Sequence, residues 1–197
     1  MDDAPRAGGS EPGFVARLGV ACMAAALLTG VGAGVWELAR PILTDQAALD
    51  AAPRLQLWAY GVMQLVKSAG FLAGLYGFYF RATRRGRVVT FFLGLAVAGA
   101  AFFSAVWLWI AASSHFTIIY VLGGMWYQMI APVVLGVAAL LAHRVARWKA
   151  ALVAVVGLMN MFIFGRFGVA RASIIQGVIW LALGYVVYSC GRARASV

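Results

Sequence analysis

The side chains with the clearest chemical potential in this sequence are one lysine and three amides that lie within long apolar runs. Lys67 interrupts the apolar run from Leu55 to Phe80, and Gln64 lies one helical turn before it. Gln128 and Asn160 lie inside two later apolar runs. A buried amine beside hydrogen-bonding amides could anchor an anion, act as an acid or base, or form a Schiff base. Whether these four side chains meet depends on the elements that carry them.

Several chemistries lack the residues they need. No Asp or Glu occurs from Ala51 to Val197, so a carboxylate-rich Mg²⁺ site for phosphoryl transfer is not expected. The two histidines, His115 and His143, lie at opposite ends of one apolar run, which disfavours a bis-histidine haem. Cys22 and Cys190 do not have metal-site spacing. With no P-loop or dinucleotide fingerprint either, we expect no metal and no cofactor, and no motif indicates an enzyme.

The composition indicates a membrane protein. Hydrophobic residues make up 64% of the 197 positions and charged residues only 11%, with a mean hydropathy of +0.90. Soluble domains average about 25% charged residues. A run of roughly 18 or more apolar residues is long enough to cross a bilayer as a helix. We count six runs, approximately at Leu18–Leu38, Leu55–Phe80, Val88–Ala112, Thr117–Ala142, Ala150–Gly165 and Ala172–Cys190. The predicted fold is therefore all-α, a bundle of six transmembrane helices.

The charge pattern predicts the orientation of this bundle. The transmembrane domain is expected at residues 18–190, between a polar, disordered tail at 1–17 and a basic tail at 191–197. Lys and Arg collect in cytoplasmic loops, and most of the 16 basic residues do so if the N-terminus is cytoplasmic. Both termini are therefore predicted to lie in the cytoplasm, and the bundle is predicted to lie in a cell membrane.

The length of the first apolar run and two basic clusters between runs add to the predicted topology. The first run exceeds the roughly 7–15 apolar residues of a signal peptide, so a retained helix is expected. The basic clusters "RATRRGR" and "HRVARWK" then lie in cytoplasmic loops. There they are expected to contact anionic lipid headgroups rather than nucleic acid.

The chemically interesting residues fall at one depth. At about 1.5 Å per residue, the lysine and the three amides lie near the middle of a hydrocarbon layer about 30 Å thick. Tyr60, Gln64 and Lys67 share one helix face by their spacing. Pro132 has no N–H, so it leaves the carbonyl four residues earlier without a helical donor. The predicted site comprises Lys67, Gln64, Gln128, Asn160, Tyr60, Met125 and Met129.

These residues have two competing interpretations. The amides could simply hydrogen-bond between helices and stabilise the bundle. Lys67 requires a further reason, because a lysine at the centre of a membrane helix costs about 2.5–3.5 kcal/mol on insertion scales. Without a carboxylate at its depth, the amine is expected to be neutral, hydrated in a cavity, or paired with an anionic ligand. Nearer the outer edge, Glu37 is expected to pair with Arg166 or Arg171.

The leading functional hypothesis is binding or transport of a small amphipathic or anionic organic molecule in a midplane cavity anchored by Lys67. One alternative is a membrane-embedded enzyme for a lipid-like substrate, with Lys67 as acid, base or nucleophile. Another is a non-catalytic subunit or regulator that docks a protein partner. Small-residue patterns such as Gly70-x-x-x-Gly74 predict close helix packing, and Gly-rich faces could also form a homo- or hetero-oligomer.

Overall fold

A computed structural model describes residues 12–43, 46–83, 86–115, 118–163 and 167–192, and for residues 12 and 118–125 it describes the backbone alone. Nearly all of these residues are helical, and no strand occurs among them. The helices are α1 (Pro12–Ala25), α2 (Gly32–Ala39), α3 (Gln46–Ala51), α4 (Arg54–Ala82), α5 (Arg87–Ser113), α6 (Ile118–Ala142), α7 (Arg147–Ile163) and α8 (Val169–Arg192). A π-helical segment, Ala26–Val31, joins α1 to α2, so these elements form one long helix.

The prediction of an all-helical fold with helices long and apolar enough to span a membrane is confirmed for the described residues. By length and hydropathy, three helices among the described residues could cross a membrane: Gly13–Ala39, Arg87–Ser113 and Val169–Arg192. Trp126–Ala142 is a shorter apolar helix within α6. The other predicted runs lie on α4 and α7. These apolar helices are consistent with a location in a membrane.

The ends of the long helices differ slightly from the predicted boundaries. The first helix begins at Pro12, inside the segment expected to be a disordered tail, and α8 continues to Arg192. The connection between Ala39 and Arg54 contains the short helix α3. Helical hydrogen bonds extend beyond the apolar run at each end, because the backbone can continue a helix after the side chains become polar.

The six long helical stretches pack as a ring in which α1, α4, α5, α6, α7 and α8 follow one another and α8 returns to α1. The helix α4 also contacts α6 and α8 across this ring, which places α4 nearest the centre. Short connections make successive helices antiparallel. The three helices α4, α6 and α8 therefore run parallel to one another, and they bring their polar residues to the middle of the bundle.

Glycines allow α1 to pack tightly against two neighbours. A Cβ on Gly184 of α8 would lie 2.5 Å from Met23 Cγ of α1. On α4, a Cβ on Gly74 would lie 2.7 Å from Cys22 Sγ, and a Cβ on Gly70 would also contact α1. The close helix packing predicted from the Gly70-x-x-x-Gly74 pattern is confirmed. It joins α1 to α4 within this chain, whereas an oligomer through Gly-rich faces stays a prediction.

Candidate functional site

Three amide side chains from three helices form a cluster at the centre of the bundle. Gln128 of α6, Asn160 of α7 and Gln176 of α8 are all buried. Gln176 Nε2 donates hydrogen bonds to Gln128 Oε1 and, at 3.1 Å, to Asn160 Oδ1. Asn160 Nδ2 in turn donates to the main-chain carbonyl of Gln128 at 3.2 Å. These bonds make the amide cluster, defined by Gln128, Asn160 and Gln176, a three-helix junction.

A proline explains why Asn160 bonds to the main chain of α6. Pro132 lies inside α6 and has no N–H, so the Gln128 carbonyl lacks its helical donor. Asn160 Nδ2 supplies the missing hydrogen bond from α7. Gly157, one turn before Asn160, permits the approach, since a Cβ there would lie 2.6 Å from Val133 Cγ2. The proline of α6 and the asparagine of α7 therefore act as a pair.

The amide cluster continues to α4 through two hydroxyl groups. Gln128 Nε2 donates to the Tyr127 hydroxyl at 2.9 Å, and that hydroxyl donates to Ser68 Oγ at 3.0 Å. Sequence reasoning predicted a common depth for Gln128 and Asn160, and the structure brings these two together. The sequence-based prediction did not include Gln176 or Ser68. The available signal for Gln176 was a glutamine inside an otherwise apolar run.

Lys67 lies beside this cluster but does not join it. Its side chain is only 2% exposed, and Nζ lies 5.6 Å from the centre of the Trp180 ring. Lys67 makes no hydrogen bond or ion pair with the residues that the structure describes. A cation over a tryptophan face gains about 0.5–2 kcal/mol. That gain is smaller than the insertion cost of a central lysine.

Other polar atoms near Lys67 also lack partners. Within the described parts of the chain, the Tyr60 hydroxyl, Gln64 Oε1 and Trp180 Nε1 are buried and make no hydrogen bond. Gln64 and Ser173 approach the Tyr60 hydroxyl as hydrogen-bonding neighbours, but neither reaches standard hydrogen-bond geometry. Buried polar groups are normally satisfied. We call Tyr60, Gln64, Lys67 and Trp180 the unsatisfied cluster.

Aromatic rings surround the unsatisfied cluster. Consecutive ring contacts connect α8, α4, α6 and α5 with centroid distances between 4.2 and 6.3 Å. The shortest is the stack of Phe71 on Trp180. In order, the rings are Trp180, Phe71, Tyr127, Phe103, Trp107 and Tyr60. Of these rings, Trp180 lies over Lys67 Nζ, and Phe71, which stacks on Trp180, lies one helical turn after Lys67 on α4.

The methionines contribute less to these surroundings than the sequence suggested. Met129 is half-buried, and the side chain of Met125 lies outside the described residues. Met159 and Met161, which flank Asn160 in the chain, are 41% and 56% exposed. Helix α7 turns these two side chains to the outer surface of the bundle because Asn160, between them in the chain, faces inwards.

Glu37 closes the turn that follows α2. Its carboxylate is buried, and Oε1 accepts hydrogen bonds from the Ile42 amide at 3.0 Å and the Leu43 amide at 2.7 Å. Arg171 is exposed, and Arg166 lies outside the described residues. The ion pair of Glu37 with either arginine stays a prediction. Glu37 is also close enough to the Tyr60 hydroxyl to interact with it electrostatically.

A separate cavity of about 280 Å³ lies between α4 and α5. It opens at the surface of the bundle, and the side chains of Lys67, Gln64 and Tyr60 do not line it. Its lining is Ala69, Leu72, Ala73, Tyr76, Leu93 and Val97. These apolar side chains are suited to a lipid acyl chain rather than to a polar ligand.

Comparison with protein families, with curated proteins and with solved structures finds no match for this chain. No group of three or more His, Cys, Asp or Glu side chains comes together in the described part of the chain.

Proposed function

We propose that this protein is a six-span membrane protein, with both termini in the cytoplasm, that binds a small anionic organic molecule at Lys67 between α4 and α8. The observation that carries the proposal is the burial of Lys67 without an acidic partner among the described residues. An ammonium in this position is costly in a membrane, and a bound anion offsets that cost.

The neighbouring groups define the kind of ligand. Trp180 Nε1 and the Tyr60 hydroxyl can donate hydrogen bonds, and Gln64 Oε1 can accept one. A carboxylate has several acceptor positions and could use the amine together with both donors. The surrounding aromatic rings favour an apolar body on the same molecule. We therefore propose an amphipathic carboxylate or a similar organic anion.

The amide cluster has a different role in this proposal. The hydrogen bonds of Gln128, Asn160 and Gln176 run between helices. This supports the interpretation that they stabilise the bundle, so we assign ligand contact to Lys67, Gln64 and Tyr60.

The ligand proposal is tested by mass spectrometry of small molecules extracted from the purified protein. Lys149, at the start of α7, is the other lysine of the sequence and provides the matched control. We expect wild type and Lys149→Met to retain an organic anion and Lys67→Met to lose it while remaining folded. Retention of the anion by folded Lys67→Met would contradict the proposal. Turnover of lipids would instead support the enzyme, and a stoichiometric protein partner would support the regulator.

The orientation is tested by thiol labelling on intact cells. Single cysteines replace Ser113, at the end of α5, or Ala146, before α7, in a Cys22→Ser, Cys190→Ser background; both positions are exposed. An impermeant reagent should label position 113 directly and position 146 after permeabilisation only. The reverse pattern would invert the topology.

A further inference from the structure

We propose that a hydrated polar track leads from Glu37, at the outer end of the bundle, to Lys67, and that protons reach the Lys67 amine along it. The track runs between α4 and α8 past Tyr60, Ser173 and Gln64. The inference rests on the proposed function for the role of Lys67. It adds the proton as a second ligand of the site and the side of the membrane from which the proton enters.

The residues of the track align along two parallel helices. Tyr60, Gln64 and Lys67 are spaced four and three residues apart on α4, so they share one face over about 10 Å of helix. Ser173 and Trp180 are separated by the same length on α8. Ser173 lies near the Tyr60 hydroxyl, and Trp180 lies against Lys67. The two helices therefore place polar side chains together at two depths, Ser173 beside Tyr60 and Trp180 beside Lys67.

The unsatisfied atoms indicate what fills the track. Tyr60, Gln64 and Trp180 are 4%, 1% and 0% exposed, and each carries a buried polar atom without a partner among the described residues. Buried polar groups that lack a protein partner are commonly satisfied by bound water. These atoms form a column instead of being scattered, so waters bound to them in the anion-free protein would form a continuous chain.

The track has an outer end and a closed inner end. Glu37 lies at the end of α2 that packs against the start of α8, where a Cβ on Gly34 would lie 2.6 Å from the Ala170 carbonyl oxygen, and its buried carboxylate interacts electrostatically with the Tyr60 hydroxyl. On the other side of Lys67, Phe71 stacks on Trp180 at 4.2 Å, followed by Leu75 and Phe78 of α4, which are fully buried. Water beyond Lys67 would have no polar partner on this face. The polar groups of the track therefore continue from Lys67 towards Glu37 and not towards the other end of the bundle.

The proton transfer needs no further reactant. A proton from external water protonates the Glu37 carboxylate and passes through bound water to the Tyr60 hydroxyl. The hydroxyl accepts one proton and releases another to the next water, and the Lys67 amine becomes an ammonium. The side chains packed against this route from other helices are Trp180 and Ser173 of α8 and Trp107 of α5, whose ring centroid lies 5.1 Å from that of Tyr60. The titratable side chains of Tyr127 on α6 and Cys22 on α1 bond to Ser68 Oγ and to the Trp180 carbonyl, away from this route.

The first test compares two buried serines of the same size. Ser173 borders the track, whereas Ser68 is hydrogen-bonded to Tyr127 on another face of α4. Each is replaced by cysteine in the Cys22→Ser, Cys190→Ser background of intact cells. A small, charged, impermeant methanethiosulfonate should modify Ser173→Cys about tenfold faster or more, because the reactive thiolate forms where water reaches it. Equal rates would overturn the track.

The second test follows the protonation of the amine itself. Reductive methylation with ¹³C-formaldehyde labels Lys67 and Lys149, the two lysines of the chain, and each gives its own NMR signal. In right-side-out membrane vesicles, the Lys67 signal should respond to external pH and the Lys149 signal to internal pH. Tyr60→Phe should slow the response of Lys67 and leave that of Lys149 unchanged. A Lys67 signal that follows internal pH, or neither pH, would overturn the proposal.

These outcomes are distinct from those of the anion test. A labelled Ser173→Cys without any retained anion would keep the track and remove the anion site. A retained anion with an unreactive Ser173→Cys would keep the anion site and remove the track.

Discussion

The pairing of Pro132 with Asn160 leads to a prediction about coupled free energies. Asn160→Leu removes the donor to the Gln128 carbonyl and the acceptor for Gln176. Pro132→Ala introduces an N–H on α6 that can donate to the same carbonyl. Asn160→Leu also removes the bond from Asn160 Nδ2 to the Val156 carbonyl of its own helix at 2.9 Å. The second change therefore replaces one of the three hydrogen bonds that the first change removes.

The magnitude follows from the bonds that are lost. A hydrogen bond between membrane helices contributes about 0.6 kcal/mol on average and up to about 1.7, and an unsatisfied buried carbonyl costs about 1–3 kcal/mol. Asn160→Leu alone should lower the free energy of unfolding by about 2 kcal/mol. In the Pro132→Ala background the same change should cost about 1 kcal/mol less, because the Gln128 carbonyl keeps a donor.

The assay is a double-mutant cycle by reversible unfolding in mixed micelles, with wild type, both single variants and the double variant. Gln176→Leu replaces Asn160→Leu in a control cycle, because Gln176 bonds to side chains of the amide cluster and makes no bond to the freed carbonyl. That control should show a smaller coupling with Pro132→Ala than Asn160→Leu shows, since Gln176 shares the network but not the carbonyl. A coupling for Asn160→Leu no larger than that of the control would refute the assignment of its amide to the Gln128 carbonyl.

Three further changes have distinct expected outcomes. Lys67→Met should raise the melting temperature of ligand-free protein in detergent, since an apolar side chain of similar length removes a desolvation cost of a few kcal/mol; a lower melting temperature would show that Lys67 stabilises the fold. Gly184→Ala should destabilise by about 1–3 kcal/mol, because its Cβ would lie 2.9 Å from the Gly19 carbonyl oxygen, whereas Gly94→Ala, with nothing within 4 Å, should not destabilise. Equal melting temperatures for the two glycine variants would refute the packing argument. Glu37→Ala should speed hydrogen exchange of the Ile42 and Leu43 amides, and Glu37→Gln, which keeps the acceptor oxygen, should do so less; indistinguishable exchange in Glu37→Ala and wild type would remove the capping role.

The sequence by itself determined the helical elements and the composition of one helix face. Hydropathy and the spacing of side chains along a helix are local properties, so the apolar runs predicted helices that the structure contains to within a few residues. The same local rule placed Tyr60, Gln64 and Lys67 on one face of α4. The freed carbonyl before Pro132 also follows from chain chemistry alone.

The tertiary structure decided which polar groups hydrogen-bond between helices and which have no partner among the described residues. The rotation of each helix about its axis depends on contacts between helices, such as the close approach of α7 to α6 at Gly157. That rotation directs Asn160 inwards and Met159 outwards, and it brings Gln176 to Gln128. Because these partners are far apart in the chain, no local pattern could identify them. The packing of α4 against α8 likewise left Lys67 against Trp180 without a described hydrogen-bond partner, and this residue remains the centre of the proposed function.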